Sequence, residues 1–133
     1  MREINLLRGY PEPTKPRYVS NNLRTIRHRL IASKRDQSFY DGDREFGYGG
    51  YKYDGRWRVI ASNIIETYKL NNSEKILQIN SEKGFLLHDL KIENKNLNVY
   101  GTETSKYAIK SSEKEIHNNV TLSKPTALPF PDK

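Results

Sequence analysis

Apolar residues recur along this chain in two rhythms, and the change falls near residue 70. Before it the spacing is helical. Leu23, Ile26, Leu30 and Ile31 fall at i, i+3, i+7 and i+8 and predict an amphipathic helix over 22–34. Asn21 or Asn22 can cap it. Arg24, Arg27, His28 and Arg29 mostly take its other faces, and the apolar stripe is expected to pack on the chain's own domain. Val59, Ile60, Ile64, Ile65 and Tyr68 predict a second helix over 57–68.

Beyond residue 74 short strands and helices alternate. Ile76, Leu77 and Ile79 predict a strand over 76–79, and Phe85, Leu86, Leu87 and Leu90 point inward from a helix over 83–92. A second strand is predicted over 97–100. Ser105 caps a helix running to about 116, and a third strand covers 120–122. Strand and helix in strict alternation imply parallel strands joined by right-handed crossovers. The fold class expected is α/β: a partial Rossmann-like sheet of three parallel strands with flanking helices, plus an N-terminal helical and loop extension. Three units follow. Residues 1–20 form an extended arm holding Pro11, Pro13 and Pro16, residues 21–70 carry the leading helices, and residues 71–133 form the sheet domain.

Composition changes this picture in one place. Residues 36–58 hold five of the eight glycines, the single tryptophan, and Tyr40, Tyr48, Tyr51 and Tyr53. Each glycine costs a helix about 1 kcal/mol, which excludes a regular helix through the segment. So many rings are out of place in a solvated linker. An ordered loop whose rings cover something apolar or planar is expected.

Charge and cysteine content narrow the function. The net charge is +7 and is uneven: residues 1–70 carry 14 Lys/Arg against 8 Asp/Glu, residues 71–133 carry 9 against 8. A basic leading half suits an anionic partner such as nucleic acid, though a solvated basic surface is the simpler expectation. There is no cysteine, which excludes disulfides and thiolate metal sites and suits a cytoplasmic protein. No apolar run approaches the ~20 residues of a membrane span. His28, His88 and His117 are scattered, so no metal cluster or catalytic base is assigned, and His88 is expected to be a surface or helix-face residue rather than a catalyst.

In a parallel sheet, ligands bind beyond the carboxyl ends of the strands. Two predicted turns lie there, at 79–84 and 101–105. Glu103 lies 24 positions after Ile79, near the ~20-residue offset at which an acid reaches a nucleoside ribose. An exposed loop acid or a charge at a helix N-terminus is the competing reading.

These residues carry a family resemblance. The run from Ile76 to Leu90, with Asn80, Glu82 and Gly84 in its turn, resembles the first signature of class I S-adenosylmethionine-dependent methyltransferases. There a strand, a glycine-rich turn and a helix cradle the methionine part of the cofactor. The run from Val99 to Ile109 resembles their second-strand signature, and that from Ala127 to Asp132 the segment beside the adenine. Residues 39–57 resemble a lead-in of one bacterial subgroup, so the likeness spans about 36–133. It implies S-adenosylmethionine as cofactor, held by Asn80, Ser81, Glu82, Lys83, Gly84, Glu103, Thr104 and Leu128, with Glu103 on the ribose. Tyr48 and Tyr51 are candidates for the methyl-acceptor wall; the acceptor itself is not indicated. The chain departs from the family pattern at Asn80 and Glu82, where glycines are usual, and at Gln78 and Lys124, where acidic or polar residues are. The chain ends where the family's fourth strand would begin. The resemblance therefore implies an open edge at 76–79, weak stability or self-association there, and a chain inactive by itself. The alternative is a non-enzymatic basic binding module that kept the fold and lost the cofactor. A nicotinamide-dependent oxidoreductase ranks last, because Gly-x-Gly-x-x-Gly is absent.

Overall fold

A computed structural model describes residues 3–16 and 24–131. The alternation expected beyond residue 74 is present: β1 (Lys75–Ile79), α4 (Phe85–Glu93), β2 (Asn98–Glu103), α5 (Lys106–Lys110) and β3 (Val120–Leu122). Ahead of them lie α1 (Ile26–Ser33), α2 (Gln37–Asp41) and α3 (Arg58–Tyr68). The three strands are parallel in the order β1-β2-β3, with Ile76 opposite Val99 and Gly101 opposite Val120. The protein is thus α/β with an open three-stranded parallel sheet and flanking helices, and β1 forms one edge.

The core explains which helices hold. Leu87 and Leu90 of α4, Ala61 of α3, Val99, Val120, Leu97 and Ile116 form one buried cluster, with Ile64, Ile65, Ile76 and Ile109 packed against it. Successive strand residues point to opposite faces. Ile76, Val99 and Val120 therefore define the face that α3, α4 and α5 cover. Leu77 and Ile79 point the other way and stay exposed at 39% and 45%. On that second face Phe130 of the tail meets Tyr100 edge-on, ring centroids 6.3 Å apart.

Three expectations need correction. The leading helix begins at Ile26, capped by the Thr25 hydroxyl that accepts from the His28 N–H, and Ile26 and Leu30 are exposed rather than packed. Asn21, Asn22 and Leu23 lie outside the described residues. The helix capped by Ser105 stops at Lys110, not near 116. Beyond it Ile116 reaches the core, with its Cδ1 against Gly84. Third, β2 runs on through Glu103, so Gly101, Thr102 and Glu103 are strand rather than turn.

The N-terminal arm has no helix or strand over 3–16, and Pro11, Pro13 and Pro16 suit that over its second half. It is nonetheless anchored. The buried Asn63 amide of α3 donates to the Leu6 and Arg8 carbonyls at 2.9 and 2.8 Å, and Tyr10 packs on Trp57.

Candidate functional site

The turn after β1 has an unusual backbone. Asn80, Glu82 and Gly84 all take left-handed φ, at 55°, 55° and 72°. Only glycine adopts this region without cost. Asparagine tolerates it and glutamate does so less well, so strain is held here by the surroundings. The Ser81 N–H extends the ladder to the Thr102 carbonyl at 2.9 Å, and the Gly84 N–H closes on the Ser81 carbonyl at 2.8 Å. Gly84 then starts α4 with no side-chain cap, which leaves the helix's first N–H groups without intrahelical partners.

Glu103 ends the neighbouring strand and meets this turn. Its carboxylate is fully buried, contrary to the exposed-acid reading. Oε2 accepts the Glu82 N–H at 2.7 Å. Oε1 accepts the Thr104 and Ser105 N–H groups at 2.7 and 2.9 Å, and the Thr104 hydroxyl at 3.2 Å. A carboxylate has about four lone-pair sites, so one place on Oε2 stays open. Glu103 is thus joined to the turn through Glu82, while Thr104 bonds Glu103 itself. Leu128 lies in the tail and is 39% exposed.

The Tyr/Gly segment covers this end of the sheet. The Tyr48 hydroxyl sits 2.8 and 2.9 Å from the two Glu82 oxygens, and Arg35 donates to Glu82 at 3.0 Å and to the Tyr40 hydroxyl at 2.9 Å. Lys83, 6% exposed, pairs with Asp41 at 2.7 Å and donates to the Tyr51 carbonyl at 2.8 Å. The Tyr107 hydroxyl of α5 adds a bond to Asp41 at 2.7 Å. The rings of Tyr48 and Tyr51 stack 4.3 Å apart, with Phe85 against Tyr51 at 4.7 Å. The rings stack on one another and on Phe85, and the ion pairs they meet carry no local signature in the sequence.

The electrostatics follow from this packing. Burial, then the hydrogen bond to Glu82, pushes the Tyr48 hydroxyl up to about 12, so it stays a donor at neutral pH. Asp41 loses hydration, which alone would raise its pKa; the Lys83 and Tyr107 bonds outweigh that and hold it below the ordinary 3.8.

A cavity of about 800 Å³ adjoins the aromatic layer. Tyr48, Tyr51 and Phe85 border it together with Arg24, Arg29, Arg44 and Arg56. The residues expected on the cofactor do not line it. Turn and cavity are separate features that share the Tyr48–Tyr51 stack.

His88 lies on a helix, α4, as expected, but it is 8% exposed and so not a surface residue, and its ring meets Tyr53 at 4.9 Å. Comparison of the chain with family models, curated proteins and solved structures gave no match.

Proposed function

We propose that the chain is the S-adenosylmethionine-binding half of a methyltransferase. One observation carries the reading: left-handed backbone at Asn80, Glu82 and Gly84, directly before an uncapped helix and against the Glu103 carboxylate. Retained strain of this kind marks a turn shaped for a function. The residues fit the cofactor in two respects. Orphan N–H groups at the start of α4 suit a carboxylate, and the open lone pair of Glu103 Oε2 suits a ribose hydroxyl. Leu128 would border the adenine. When bound, the cofactor supplies a sulfonium methyl group for in-line transfer. The chain's own part is positioning, with Tyr48 and Tyr51 as the wall toward the acceptor.

Glu103 is fully covered and Glu82 is engaged by Arg35 and Tyr48. Binding therefore requires the Arg35–Glu82–Tyr48 contacts to open. Calorimetry with S-adenosylhomocysteine tests the proposal. Saturable heat that weakens about tenfold or more in Glu103→Gln, a loss of about 1.4 kcal/mol or more, is the expected result. No heat at millimolar ligand would overturn it.

A second reading is favoured by the cavity. Four arginines beside stacked tyrosines suit an anionic, planar partner without a cofactor. Strongly salt-dependent nucleic-acid binding, with no response to S-adenosylhomocysteine, would select this basic binding module instead.

A further inference from the structure

We propose that His88, Glu113 and Glu115 form a binding site for a divalent metal ion of the zinc type. His88 lies on α4, and the two glutamates lie on the connection between α5 and β3. One ligand atom from each falls within 4.8 Å of the other two. His88 Nδ1 is buried and has no hydrogen-bond partner. Glu115 Oε2 stands 3.4 Å from it, beyond the usual length of an N–H···O bond. A buried ring nitrogen left unpaired is costly, and nothing else among the described residues satisfies it.

The distances fit an ion. Zinc binds imidazole and carboxylate at about 2.0–2.2 Å, so two ligands of a tetrahedral site stand about 3.4 Å apart. The His88–Glu115 pair already has that separation at 3.4 Å. Glu113 is half-buried and Glu115 exposed, so both carboxylates have room to close the remaining gap. The imidazole is set before any ion arrives. Tyr53 meets it edge-on at 88°, and the Tyr53 hydroxyl is bonded to Asp89 on the same helix.

One imidazole with two carboxylates is a mixed nitrogen and oxygen set, and the affinity order of divalent metals places Zn²⁺ above Mn²⁺ and Fe²⁺ for it. Three protein ligands leave at least one position for water on the exposed side. The ion would tie α4 to the segment carrying Ile116, whose side chain packs at Gly84.

The test uses the full chain, stripped of metal and titrated with Zn²⁺, Mn²⁺ and Mg²⁺ against a chromophoric chelator. One Zn²⁺ per chain and a raised melting temperature are expected, with Mg²⁺ much weaker. Losing an outer-sphere partner alone costs about 10–100-fold in metal affinity, so Glu113→Gln with Glu115→Gln should weaken Zn²⁺ about 100-fold. That double variant alters only the rim and keeps the test open where His88→Gln fails to fold. His28→Gln and His117→Gln should change nothing. Zn²⁺ binding unchanged in the Glu113/Glu115 double variant, or lost in His28→Gln or His117→Gln, would overturn the site. No saturable binding below about millimolar Zn²⁺ would reduce the cluster to a His88–Glu115 ion pair.

Discussion

The segment from Ile26 to Arg58 and the segment from Val59 to Leu122 are held together by different physics. The later segment owns the apolar core: Ala61, Leu87, Leu90, Leu97, Val99, Ile116 and Val120. In the earlier one Tyr40 is the buried hydrophobic residue among those described, and α1 buries none. That segment is fixed by rings stacked on rings and by charges aimed at the turn after β1. Apolar packing is nearly indifferent to pH and salt, whereas a clamp of ion pairs and phenols is sensitive to both. The half covering the candidate site is therefore the half that conditions can loosen.

The sharpest way to break the comparison is in the core. Leu87→Ala should lower unfolding stability by about 4 kcal/mol in urea, with similar loss at every pH from 4 to 8. Asp41→Ala should cost about 3 kcal/mol by leaving the Lys83 ammonium buried and unpaired. Asp41→Ala combined with Lys83→Met should recover part of that loss. Recovery of nothing would show that the pair contributes by packing rather than by charge.

Acid separates the two halves further. Asp41 sits below its ordinary 3.8 when folded. Its contribution is thus fully present above that value and is lost as pH falls from there through the folded value. Fluorescence of Trp57 should report loosening below about pH 4, and Asp41→Asn should flatten that dependence.

Smaller changes probe the turn. Tyr48→Phe removes the hydroxyl that bridges both Glu82 oxygens and should cost about 1 kcal/mol. The same change should tighten S-adenosylhomocysteine if opening these contacts is part of binding. Asn80→Gly should act oppositely and stabilise by about 0.5 kcal/mol, since φ 55° suits glycine. A destabilised Asn80→Gly would mean that the asparagine side chain, not the backbone, is what the turn requires.

Much of the α/β half could be read from residue order. Strands buried against helices appear as short apolar runs, and β3 at 120–122 has the bounds its sequence predicted. Parallel pairing followed from alternation. The failures share one cause. Ile26 and Leu30 form a helical stripe, but periodicity does not say whether a partner exists to cover it, and here they stay exposed. Spacing also singled out Glu103 without revealing that Glu82, Thr104 and Ser105 would surround it with donors.

The sequence by itself determined the strands and the order of the elements it read, though not the short α2 inside the segment read as a loop, because 2.0- and 3.6-residue periods and local caps are properties of neighbouring residues. The tertiary structure alone decided who meets whom. Lys83 finds Asp41 across 42 positions and Glu82 finds Tyr48 across 34. His88 meets Glu115 across 27 positions, on the connection that follows α5. Such pairings depend on how the loops close over a finished sheet, and no local pattern encodes that closure.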